Sequence, residues 1–116
     1  MTGISPIELY RAAKPDRFRI LRSLEISQSP PESGSTWQAD VRMVLRSLDS
    51  EASLVLTFSG VTQLAVLPQG TPMSMGILSI EDLSDHHWEG IRYRVKDVEQ
   101  EETFSCFCAG FAVNHS

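Results

Sequence analysis

The chain has 116 residues, 41% hydrophobic and 22% charged, enough to bury a core as a single domain without a metal or disulfide staple. Its formal net charge of −5 argues against generic nucleic-acid binding, which runs on phosphate neutralisation, and permits a basic protein partner. No apolar run approaches the ~20 residues that span a bilayer, and Glu8, Arg11, Lys14 and Asp16 interrupt any basic-then-apolar leader, so the expectation is a soluble, cytoplasmic domain with no membrane contact.

Ser5-Pro6-Ile7-Glu8 is a capping box with proline at the first helical position. The helix should run over residues 6–13 and stop before Pro15, because a residue preceding proline is pushed away from helical angles. Two turns are not stable alone, so Ile7 or Tyr10 must dock on something. Residues 17–27 alternate as a strand, with Phe18, Ile20, Leu24 and Ile26 on one face and Arg17, Arg19, Ser23 and Glu25 on the other. Arg22 breaks the apolar face and Leu21 the polar one. Residues 27–36, rich in Ser, Pro and Gly, have the composition of a flexible exposed loop.

Residues 36–48 fit two templates. Trp37, Ala39, Val41, Met43 and Leu45 alternate as in a half-buried strand, whereas Trp37, Val41, Val44, Leu45 and Leu48 form a helical stripe. The strand is favoured, because Asp49-Ser50-Glu51-Ala52 is a short turn leading straight into the next segment and a hairpin pairs the two most simply. That segment, Ser53 to Leu67, is the longest apolar run and reads as the centre of the sheet. Ser59-Gly60 breaks it as a tight turn or a bulge. Its expected neighbours are 37–48 and 77–83, the latter a strand with Leu78 and Ile80 on one side.

The last third is a hairpin. Ile91, Tyr93 and Val95 alternate with Arg92, Arg94 and Lys96; an acidic turn follows; then Phe104, Cys106 and Cys108 alternate with Ser105 and Phe107. The tail from Asn114 is expected to fray. Together these elements give an α+β, mostly β domain over 1–116: an antiparallel sheet or sandwich of about five to seven strands with a short N-terminal helix. There is no βαβ rhythm, and so no nucleotide-binding sheet.

Leu56-Thr57-Phe58-Ser59-Gly60-Val61 with Leu64, then Asp82, Trp88-Glu89-Gly90-Ile91, Tyr93, Val95, Asp97, Phe104 and Cys106, resemble the small bacterial Imm50-type immunity proteins and related uncharacterised bacterial domains. The resemblance covers roughly residues 53–108, and residues 1–50 carry none of it. It implies a mostly-β domain that binds and neutralises a toxin of the same polymorphic toxin system, with no catalytic residues to carry over.

The residues that could bear chemistry each have a plainer reading. Cys106 and Cys108 share a strand face and with His86 and His87 could supply zinc ligands, but cysteine beside phenylalanine also fills cores. The pair cannot form an unstrained disulfide with each other, so nothing calls for an oxidising compartment. His86-His87 beside Asp85 suits acid–base work only with an oriented partner, and no nucleophile or metalloprotease motif occurs. Glu81, Asp82 and Asp85 lack the density of a calcium loop. Partner-contact candidates are Trp37, after a loop, and the acidic turn Glu99, Glu101 and Glu102, which would face a basic partner. Trp88 reads as a plug at the sheet edge. Arg92, Arg94 and Lys96 read as a charged strand face that discourages edge pairing. The resulting expectation is a non-enzymatic protein–protein interaction domain, an immunity protein bound to a basic toxin, with no cofactor. The alternative is a regulatory domain holding a small ligand or metal between the sheet and the N-terminal helix.

Overall fold

The computed structural model describes residues 5–29, 38–66, 78–86, 90–97 and 104–115. In chain order these form helix α1 (Pro6–Ala12), a 3-10 turn (Pro15–Arg17), strands β1 (Phe18–Ser29), β2 (Gln38–Ser47), β3 (Ser53–Val66) and β4 (Leu78–Asp82), a second 3-10 turn (Ser84–His86), and strands β5 (Tyr93–Asp97), β6 (Phe104–Cys108) and β7 (Gly110–His115). The strands make one antiparallel sheet in the order β1-β2-β3-β6-β5-β4, with β7 also on β3.

The helix begins as its sequence dictates: the Glu8 N–H donates to Ser5 Oγ at 3.2 Å, with Pro6 in the first turn. It ends before Lys14, which takes a left-handed conformation (φ 55°) ahead of Pro15. Tyr10 supplies the docking that so short a helix needs. Its ring is 5% exposed and its hydroxyl donates to the Leu78 carbonyl of β4 at 2.9 Å, 68 residues away. Ile7 packs against the same core.

β2 and β3 form the expected hairpin. Its tight end is closed by the Ser47 N–H donating to the Ala52 carbonyl at 3.0 Å, and Ser47 Oγ donates to Asp49 Oδ1 at 2.8 Å. Register pairs Leu45 with Leu54, Met43 with Leu56 and Val41 with Phe58, all facing the core and at most 2% exposed.

β3 is one bent strand serving two sets of neighbours. Its first half, Leu54–Ser59, pairs β7 on the side away from β2; its second half, Thr62–Val66, pairs β6. β6 and β7 are separated by Ala109 alone, so a second bent strand runs along β3 and kinks at the same level. Gly60 makes that shared kink possible. Its φ is +60°, and a Cβ there would lie 2.9 Å from the Ala109 Cβ. The Ala109 N–H donates to the Ser59 carbonyl at 2.9 Å, and Ser59 Oγ to the Gly110 carbonyl at 3.2 Å, tying the two kinks together. Ser59-Gly60 is therefore a bulge.

The bend wraps both halves of the sheet around one core. Phe58 is fully buried, with the rings of Phe104 and Phe111 each 6.1 Å away, and Tyr93 meets Phe111 edge-on at 4.9 Å. Such aromatic pairs contribute about 0.5–1.5 kcal/mol each beyond the area they bury.

Several expectations are corrected here. Register shifts between Phe18 and Ile20 and between Leu21 and Ser23 re-aim β1: Leu21 lies opposite core-facing Leu45, and Ile20 opposite exposed Arg46. The strand expected over 77–83, seen as β4, does not flank the central strand: among the described residues it pairs β5 alone, at the far end of the strand order. Ser27, Gln28 and Ser29, expected in a loop, are strand residues paired with Asp40, Ala39 and Gln38. Asn114 and His115, expected to fray, pair with Val55 and Leu54.

Candidate partner-binding surface

Cys106 and Cys108 lie on the core face of β6, 2% and 0% exposed and not in a disulfide. Burial pushes both thiols up to about 12, with the neighbouring Cys108 adding to the effect at Cys106. They therefore stay protonated and weakly nucleophilic at neutral pH. His87 and the side chain of His86 lie outside the described residues. No group of three or more His, Cys, Asp or Glu side chains among the described residues is arranged to hold a metal ion. Trp37, Trp88, Glu99, Glu101 and Glu102 also lie outside the described residues.

Asp82 and Arg92 are tied up locally. The Ser84 N–H donates to Asp82 Oδ1 at 2.8 Å, and this bond, more than the Arg92 charge, holds the Asp82 carboxyl below its usual range. Arg92 sits 3.9 Å from Asp82 Oδ2, with its guanidinium 5.3 Å from the Tyr93 ring centre. Asp97 is fully buried at the end of β5, opposite Leu78, and its charge adds to the burial that keeps the Tyr10 phenol un-ionised well beyond the usual range.

The chemistry open to a partner is on the outer side of the sheet. Across β4–β5–β6–β3 the register builds two rows pointing away from the core: Glu81, Arg94, Phe107 and Thr62 in one, Ser79, Lys96, Ser105 and Ala65 in the other. β5 alternates buried Tyr93, Val95 and Asp97 with exposed Arg94 and half-buried Lys96. It lies between β4 and β6, so the basic stripe guards no edge, contrary to the reading from sequence. Beside these rows β3 carries a second irregularity between Thr62 and Ala65, where Gln63 adopts φ +51°. A left-handed conformation costs an L residue about 1–2 kcal/mol. Gln63, Arg94, Lys96, Ser105 and Phe107 line a recess of about 220 Å³.

Other depressions among the described residues include two lined by charged side chains on the sheet and beside α1. One of about 360 Å³ on β1–β2–β3 has Arg22, Ser23 and Arg42 around Val44 and Val55. The other, an open groove of about 690 Å³ between α1 and β4–β5, is rimmed by Glu8, Arg11, Glu81, Asp82, Arg94 and Lys96. Sequence reading missed the outward turn of Arg22 and the strained Gln63. The signal for the first was present, in the broken alternation at Leu21-Arg22.

A family model described as Immunity protein PIM8 matches residues 3–114. The resemblance read from sequence therefore stands at the level of an immunity-protein-type domain. The match also takes in the N-terminal half, where no resemblance was seen. Comparison with the curated proteins and with the solved structures returned no match.

Proposed function

As the chain belongs to the Immunity protein PIM8 family, we propose that it neutralises a cognate bacterial toxin by binding it in the cytoplasm, without catalysing a reaction. The observation that carries this reading is the match itself, which spans residues 3–114 rather than one motif. The distribution of polar chemistry supports it. The thiols and the Tyr10 phenol are sealed in the core, while charged side chains spread over open sheet faces, an arrangement suited to surface contact. The net charge of −5 and the run of acidic residues at Glu99, Glu101 and Glu102 suit a toxin with a basic contact surface, approached by electrostatic steering and anchored by Trp37.

The test uses the toxin domain encoded beside this chain's gene, inactivated by mutation and mixed with the purified chain. A stable complex in size-exclusion chromatography, with nanomolar affinity by calorimetry, supports the reading. Two separate peaks and no heat of binding would refute it.

A further inference from the structure

We propose that the free edge of β1 over residues 23–29 pairs antiparallel with the same stretch of a second copy of this chain, about a twofold axis at Ile26. The inference goes beyond the toxin-binding reading and does not depend on it.

Three observations single out this stretch. First, β1 begins the strand order and, among the described residues, pairs β2 alone, so its other side is an open edge 12 residues long. Natural sheets keep such edges short or blunt them with bulges, charges and proline, because the N–H and C=O groups of an open edge template another strand. Second, the blunting devices of β1 are confined to one half. Both register shifts lie before Ser23, as do Arg19 and Arg22, whereas residues 23–29 pair one-for-one with Val44 down to Gln38 and carry a single charge, Glu25. Third, the apolar layer of the core runs out along this stretch and stops unfinished. Leu24 and Ile26 lie opposite Met43 and Val41, both fully buried on the core face. Leu24 packs against that core, but Ile26 is 53% exposed.

Self-complementarity selects the occupant. A twofold axis normal to the sheet at Ile26 sets Ile26 opposite Ile26 of the second copy, Leu24 opposite Gln28, Glu25 opposite Ser27 and Ser23 opposite Ser29. The two isoleucines complete the apolar layer, and the lone carboxylate of each copy meets a hydroxyl. An axis one residue earlier would set Glu25 against Glu25, like charges at pair distance. An axis one residue later would bring Pro30, with no N–H for a ladder, opposite Leu24. The regular stretch is bounded by the shift at Leu21/Ser23 on one side and by Pro30-Pro31 on the other, and Ile26 is its midpoint. A strand from a different protein would need no such symmetry. So short a pairing buries less than the ~1,600 Å² of a standard interface, so the dimer forms at micromolar rather than nanomolar concentration.

The test follows the full chain alone by sedimentation equilibrium from ~5 to ~500 µM, where the mean mass should climb from one chain towards two. Ile26→Lys sets two cations face to face at the axis and should raise the concentration for half-dimerisation about ten-fold or more. Its melting temperature should fall by about 4 °C or less, because Ile26 is exposed in the single chain. Cysteine crosslinking reads the register. In Ile26→Cys the paired Cα atoms lie about 4.5–5.5 Å apart, within disulfide range, and mild oxidation should give a covalent dimer. Gln28→Cys alone should not crosslink, since the two copies of that position lie roughly 13 Å apart, but mixed with Leu24→Cys it should. The native Cys106 and Cys108 thiols are buried and do not compete. A single-chain mass at the highest concentration, a dimer that Ile26→Lys leaves intact, no crosslink in Ile26→Cys, or crosslinking of Gln28→Cys alone would each overturn the pairing. A single-chain mass together with weakened binding of the inactivated toxin by Ile26→Lys would give the edge to the toxin instead. No toxin enters the mass and crosslinking measurements, so their failure leaves the toxin-binding reading intact.

Discussion

Replacing Gly60 by alanine tests the joint on which the sheet bends. Two costs add. At φ +60° an L side chain is disfavoured by about 1–2 kcal/mol, partly offset by the ~0.5–1 kcal/mol that alanine saves by restricting the unfolded chain. The new Cβ would also sit 2.9 Å from the Ala109 Cβ, closer than methyl groups approach. Ala109 cannot retreat freely, because its N–H is held by the Ser59 carbonyl at 2.9 Å and the next residue by Ser59 Oγ. Overpacking of this kind costs about 1–3 kcal/mol. The net is about 2–3 kcal/mol, or a fall of about 10 °C in melting temperature for a domain of this size. Circular dichroism melts of Gly60→Ala measure the sum. Adding Ala109→Gly removes the overlap but not the φ cost, and should recover about half. A Gly60→Ala melt within 2 °C of the parent would refute the account of the kink, and no recovery in the double variant would refute the steric half.

Three other outcomes follow from the packing. Tyr10→Phe leaves the Leu78 carbonyl without its donor and should cost about 1–2 kcal/mol in urea unfolding, with α1 the first segment to exchange amide hydrogens. The Cys106 and Cys108 thiols are raised from 9.0 to about 12 in the folded chain, so folding stability is fully present below pH 9 and falls as pH rises from 9 towards 12. Each thiol contributes a slope of up to about 1.4 kcal/mol per pH unit in that window, and Cys106→Ala should flatten the alkaline branch by about one proton. Truncation before Gly110 removes β7, exposes the Leu54–Ser59 edge of β3 and deletes buried Phe111, and should leave an aggregating chain by light scattering, whereas a frayed tail could be lost without effect.

What was legible in sequence was mostly local. The Ser5 cap, the stop before Pro15 and the β2–β3 hairpin each depend on residues within a few positions of one another. The long-range pairings were not legible. Nothing local distinguishes β4 from β6 as the neighbour of β3, because both are short apolar runs that alternate. β7 was not foreseen for a related reason: its last two residues, Asn114 and His115, read as a fraying tail until Leu54–Ser59 is there to pair the strand. The bulges in β1 showed as two exceptions to alternation at Leu21 and Arg22, one-residue insertions rather than noise. The basic stripe on β5 was visible from the start. Its meaning changed because whether a strand lies at an edge is decided by partners elsewhere in the chain.

The central claim is neutralisation of a toxin by this PIM8 family member, and a titration tests it most directly. The active toxin is held at fixed concentration while the purified chain is added, and the toxin's own activity is followed. The account predicts loss of activity that is complete at one chain per toxin. Full toxin activity in a large excess of the chain would contradict it.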